Sequence, residues 1–172
     1  MSKKDYKSTP ESEARILILI ERFTTKKNCM EGRTKLAKLD FFLRYPGYME
    51  RAVKIRDKNA SFKAPKEEVS NIENRMVRYK YGPWDPSYYA VLGSLIGRGL
   101  VSPVSTKKGL GYETTEKGSE VVESLKRSIE WEEVDERTKI LKRHLNRTGS
   151  FLKDFVYENF PEVTNAEWGE EI

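Results

Sequence analysis

RMVRYKYGPWDPSYYAVLGSLIGRGLV, residues 75–101, puts a strand, a corner and a helix into one run. Met76, Val77, Tyr79 and Tyr81 favour extended backbone and interleave with Arg78 and Lys80. Gly82 and Pro83 stop that strand and turn the chain. Asp85 before Pro86 reads as a helix start: the carboxylate caps free N–H groups, and proline fits the first helical position. Tyr89, Leu92, Leu95 and Ile96 recur at helical spacing, which predicts a helix over 86–98. Gly99 ends it in a conformation that costs other residues a Cβ clash, and Leu100 folds back on the last turn.

Upstream, Thr9 and Pro10 read as cap and first position of a helix carrying Ile16, Leu19, Ile20 and Phe23. Residues 1–8 are a loose tail, and 24–32 a polar connection holding Cys29. A second helix starts at Thr34, with Leu36, Leu39, Phe42 and Leu43 as its apolar stripe. Arg33, Lys35 and Lys38 are expected toward solvent, and Tyr45-Pro46-Gly47 ends the helix. Residues 47–74 are highly charged and look like an insertion. It holds a short helix around Met49, Ala52, Val53 and Ile55, and another over 67–72.

Downstream, 100–104 reads as a strand, with Pro103 tolerable at an edge. A basic loop with Lys107 and Lys108 follows, then a partner strand at 112–114. Thr115-Glu116-Lys117-Gly118 opens a helix whose face is Val121, Val122, Leu125 and Ile129. Residues 131–147 are helical through Val134, Leu141 and Leu145. Gly149 breaks that helix and Ser150 caps a last one, with Phe151, Leu152, Phe155, Val156 and Phe160 as a dense apolar stripe; Pro161 ends it.

The chain has 172 residues, enough for one real core. Charged residues make up 34%, which suits a surface used by partners, and aromatics at 11% argue against disorder. The net charge of +5 is uneven: residues 131–172 hold six Lys/Arg and ten Asp/Glu, net −4, which leaves +9 on the preceding part. A basic body with an acidic end suggests an anionic partner. With one cysteine and one histidine, no disulfide or Cys/His zinc site can form within the chain. No apolar run is long enough to cross a membrane and no signal-peptide core follows the start, so a cytoplasmic protein without membrane contact is expected.

Helix, helix, strand, helix, strand, basic loop, strand, helix is the order of a winged helix-turn-helix. The predicted architecture is therefore mainly α with a small β-hairpin: a winged-helix-like domain over 9–130, with the insertion at about 47–74, and an acidic helical extension over 131–172. The predicted third helix offers Ser87, Tyr88, Tyr89 and Ser94, with no cation before Arg98, so it lacks a bidentate base reader. Lys107 and Lys108 on the wing are candidates for phosphate contact. So are Arg51 and Lys54, where a solvated face is the simpler reading. Catalysis has little support: Cys29 has no accompanying base, and Asp40, Asp57 and Asp85 show no spacing that gathers them. No catalytic residue, metal or cofactor is expected.

Met76-Val77-Arg78-Tyr79-Lys80-Tyr81-Gly82-Pro83-Trp84-Asp85, with Tyr88-Tyr89 and Leu92-Gly93, resembles the middle component of bacterial ABC three-component systems, of which the Lamassu-type antiphage systems hold one. The run Arg33-Thr34-Lys35-Leu36-Ala37-Lys38-Leu39-Asp40-Phe41-Phe42-Leu43-Arg44-Tyr45-Pro46 resembles that family's N-terminal helix. The resemblance covers roughly 11–130 and is most specific at Gly82–Asp85. It implies a non-enzymatic subunit joining an SMC- or Rad50-like ATPase to an effector such as a nuclease, with non-specific DNA contact possible. Partner-binding candidates are Trp84, Tyr88, Phe151, Phe155 and Phe160. Trp84 is expected to anchor the corner against the first or second helix. The last helix either docks on a partner or packs on its own chain. The alternative function is a winged-helix transcription regulator.

Overall fold

A computed structural model describes residues 6–66, 76–79 and 82–172. It is mainly helical with two small antiparallel hairpins. In chain order the elements are α1 (Pro10–Phe23), α2 (Arg33–Arg44), α3 (Pro46–Arg56), β1 (Val77–Tyr79), β2 (Gly82–Trp84), α4 (Tyr88–Gly97), β3 (Val101–Thr106), β4 (Gly109–Thr114), α5 (Glu116–Lys126), α6 (Ile129–Leu145), α7 (Gly149–Asn159) and α8 (Pro161–Thr164). The predicted helix over 67–72 and the first five residues of the tail lie outside the described residues.

Local chemistry sets most starts and stops. At α1, the Ser12 N–H donates to Thr9 Oγ1 and the Thr9 N–H to Ser12 Oγ, with Pro10 at the first position. Thr115 caps α5 through the Gly118 N–H. The cap of α7 is Thr148, which accepts from the Phe151 N–H, so Gly149 begins that helix and Ser150 is inside it. At the end of α4, Gly99 has φ of 73°, its N–H donates to Ile96 O, and the Leu100 N–H reaches Leu95 O. These are the paired bonds of a Schellman motif.

The corner before α4 is built differently from the expectation. Gly82 and Pro83 are not the turn: with Trp84 they form β2, which returns along β1 with Trp84 opposite Val77 and Gly82 opposite Tyr79. The helix then starts two residues later than predicted. Asp85 Oδ1 accepts the Ser87 N–H, which makes a side-chain-closed turn that holds Pro86 ahead of the first helical residue.

The central element is α2, against which α1, α3, α6, α7 and β2 all pack. Every residue from Lys35 to Arg44 is buried. Lys35 and Lys38 therefore do not face solvent, because α6, α7 and β2 cover the polar side of the stripe. The short helix expected around Met49, Ala52, Val53 and Ile55 is α3; it begins at Pro46, and Met49, Ala52 and Val53 are wholly enclosed while Ile55 is exposed, so this part of 47–74 packs into the core. Ile129 also departs from its expected place on the α5 face; it opens α6 and is 89% exposed.

The stripe of α7 packs on its own chain. Leu152, Val156 and Phe160 are wholly buried, and the Phe42 ring lies 5.6 Å from that of Phe160 and 6.3 Å from that of Phe155. One hydrophobic cluster runs from Ile16 to Val163. The β3–β4 hairpin has a third strand position at Met30, whose N–H donates to Tyr112 O and whose carbonyl accepts the Tyr112 N–H. No helix among the described residues is long and apolar enough to cross a membrane.

Candidate functional site

Beneath the corner lies a buried ionic network. Asp40 accepts from Arg15 Nε at 2.8 Å and from the Tyr88 hydroxyl at 2.6 Å, and lies 3.5 Å from Arg44. Arg44 reaches on to Asp85 at 2.6 Å. Burial alone would raise the Asp40 pKa, but the charges of Arg15 and Arg44, with hydrogen bonds from Arg15 and Tyr88, outweigh it and hold the carboxyl below its ordinary value. Tyr88 is pushed well above its ordinary value by burial and then by Asp40, so it stays a neutral donor. The network ties α1, α2 and the start of α4 together. Asp40 and Asp85 do meet, through a shared guanidinium, which is an ion-pair arrangement.

Above this frame, a face open to solvent surrounds the first turn of α2. Arg33 lies with its guanidinium carbon 4.7 Å from the ring centroid of Tyr89, which is 62% exposed. Two clefts flank it. The first, about 520 Å³, takes Trp84, Pro86 and Tyr89 from the β2–α4 corner and Arg33, Thr34 and Lys38 from α2. The second, about 450 Å³, takes Lys108 and Leu110 from the hairpin, Arg33 and Thr34 from α2, and Ser150 and Lys153 from α7. Gly32 at the N-cap of α2 offers no side chain to its first N–H groups. The face is thus aromatic and largely basic, with Glu31 an acid at the edge of the second cleft. The outer side of α4 continues it with Tyr89, Gly93 and Gly97, all exposed.

The partner candidates separate into two groups. Tyr88, 1% exposed, and Phe155 and Phe160 are interior residues and offer no surface. Phe151 is half-buried, stacked on Phe155 and covered by the guanidinium groups of Arg147 and Arg56, at 4.0 and 5.3 Å from its centroid. Trp84 is half-buried and lines the first cleft. Its ring meets Tyr88 edge-on at 5.1 Å and Tyr89 at 6.2 Å, so these contacts anchor the corner on the start of α4, where the first or second helix was expected, because Tyr88 and Tyr89 follow the corner at once. Tyr89, Arg33 and Leu110 were missed by sequence reasoning. They come to one face because the hairpin, α2 and α4 converge, and no spacing in the chain reports that.

The phosphate candidates also divide. Lys107 and Lys108 are exposed at the hairpin tip. Arg51 is engaged with Glu162 and lies 4.7 Å over the Phe160 ring, while Lys54 is exposed on α3. Cys29 is half-buried, and burial, then Glu31 and Glu113, push its thiol up, which disfavours the nucleophilic thiolate. Among the described residues no group of three His, Cys, Asp or Glu side chains is placed to hold a metal ion. Compared with family models, with curated proteins and with solved structures, the chain matches none.

Proposed function

We propose that this chain is a winged-helix-type assembly subunit of a Lamassu-like antiphage complex, without catalysis of its own, that joins an SMC-like DNA-sensing ATPase to a nuclease-type effector. The observation that carries this reading is the outer face of α4. In a winged helix this is the element that would enter a DNA groove, and base reading there needs Arg, Lys, Asn or Gln. The exposed positions are instead Tyr89, Gly93 and Gly97, a smooth aromatic surface that suits a protein partner. The winged-helix build is supported by the order α1, Met30, α2, α4, β3, β4, α5 and by the Met30 pairing to Tyr112, with α3 and the β1–β2 hairpin set between α2 and α4. Cytoplasmic residence belongs to this proposal.

The test is co-expression of the tagged chain with the products of its neighbouring genes. The expected result is co-purification of a long coiled-coil ATPase and an effector. A Cβ at Gly93 would meet nothing within 4 Å, so Gly93→Arg keeps the fold while obstructing the face, and it should abolish the complex. The transcription-regulator reading has the exposed Lys107 and Lys108 in its favour. Tight, sequence-dependent binding to its own promoter that survives moderate salt, together with no co-purifying partner, would establish the regulator instead. Weak binding lost steeply with salt is phosphate contact alone.

A further inference from the structure

Lys38 is the exception among the buried charges of α2. Lys35 donates to Asn146 Oδ1 at 2.9 Å, Asp40 has two arginines and a tyrosine, and Arg44 has two aspartates. Lys38 is just as buried, at 1% exposure, yet among the described residues its Nζ has only the Pro83 carbonyl at 3.5 Å. No carboxylate lies within ion-pair distance of it among the described residues. An ammonium has three protons to place, and a buried polar group left short of partners calls for a reason. Burial, then the like charges of Arg78 and Lys153, bring its pKa down to about 7. The side chain lines the first cleft, where Arg33 is a second cation, Thr34 offers a hydroxyl, and Trp84 and Tyr89 offer rings.

We infer that this cleft binds a nucleoside monophosphate group, with the phosphate between Lys38 and Arg33 and the base against Trp84 and Tyr89. The inference stands apart from the assembly reading and does not depend on it. Two cations and, among the described lining residues, no acid call for an anion of more than one charge; a phosphate monoester supplies that and accepts several hydrogen bonds. Aromatic rings beside that anion site match a flat base, whose stacking is tolerant of sequence. The cleft volume of about 520 Å³ suits a ligand of this size. The group has two sources, a free nucleotide or the phosphorylated end of a nucleic-acid strand.

The binding is coupled to a proton. A phosphate beside Lys38 favours its charged form, so near pH 8, where the phosphate is already a dianion, the complex takes up about one proton; near pH 6 Lys38 is mostly charged already and the phosphate, with a second pKa of about 6, releases a fraction of a proton instead. The experiment is isothermal titration of the full chain with AMP at both pH values, in two buffers of different ionisation enthalpy. Saturable AMP binding with proton uptake at pH 8 is the expected result. Lys38→Met should weaken binding at least tenfold and abolish the uptake. Arg33→Ala, at an exposed position, should weaken binding about tenfold and leave the uptake in place. A 5′-phosphorylated oligonucleotide that binds more tightly than AMP identifies a strand end; one that binds no better identifies a free nucleotide; either supports the site. Inorganic phosphate binding as tightly as AMP would remove the base from the proposal. AMP binding without proton uptake, or no AMP binding while an acidic peptide binds, overturns it.

Discussion

Asp40 and Lys38 sit two residues apart on one helix and face opposite electrostatic problems. Asp40 is surrounded by compensation: its ordinary pKa of 3.8 is lowered, so its contribution to stability is present above that value and is lost as pH falls through the lower folded one. Asp40→Asn takes the buried carboxylate away from Arg15 and leaves Arg44 with Asp85, and should cost about 3–5 kcal/mol in urea unfolding at pH 7. Tyr88→Phe removes one charged hydrogen bond while keeping the ring, and should cost about 1–3 kcal/mol. Below about pH 4 the gap between wild type and Asp40→Asn should narrow. For Lys38 the sign reverses. Its folded pKa of about 7 lies below the ordinary 10.5, so the unfolded chain binds more protons between the two values and stability rises with pH across that window. Lys38→Met should raise the melting temperature at pH 6.5 and flatten the rise toward pH 9.5 that wild type shows. A variant less stable than wild type at pH 6.5 would mean that the ammonium is compensated after all.

At the scale of elements, the joint between α4, β3 and α5 has the least room. The Thr115 N–H donates to Leu100 O, and Thr115 Oγ1 donates to Gly99 O at 2.6 Å. That draws the first turn of α5 so close that a Cβ at Gly118 would lie 2.1 Å from Leu100 O. The contact is with backbone, which cannot step aside as a flexible side chain could. Gly118→Ala should cost about 3 kcal/mol, at the upper end for overpacking, and thermal unfolding measures it. Gly93→Ala is the matched control: it has open space around it and should be neutral or slightly stabilising through helix propensity. The spacing of Thr115 and Gly118 at the start of α5 thus has a steric reason.

For the molecule as a whole, the C-terminal helices are part of the structure that holds α2. Leu152, Val156, Phe160 and Val163 belong to the same cluster as Phe42, and Thr148 and Gly149 start α7 directly against the first turn of α2. Truncation after Asn146 would expose the Phe42 side of α2 and uncover Lys38. The shortened chain should aggregate or lose its cooperative thermal transition. A folded, monomeric product would show that the cluster divides at α6. The acidic end meets the chain's own basic body at several points: Glu162 engages Arg51, and the backbone of Glu170 accepts the Arg78 N–H while Ile172 donates to Met76 O.

The sequence by itself determined what depends on neighbours along the chain. Thr9-Pro10 fixed a helix start, Gly99-Leu100 a helix end, and Thr115 the cap of α5, because capping bonds close over three to five residues. It also determined the mainly helical build and the basic tip of the hairpin. Where it misled, the deciding contact was remote. Gly82-Pro83 looked like a turn because nothing local reveals that β2 pairs back on β1. Lys35 and Lys38 looked solvated because periodicity shows which side of a helix is apolar, not whether other elements cover the polar side. The stripe of α7 demanded burial, but only the tertiary structure supplied Phe42 as its partner. The face around Arg33 belongs to the same class: α2, α4 and the hairpin are far apart in sequence, and packing alone brings Arg33, Tyr89, Leu110 and the uncompensated Lys38 to one side of the molecule.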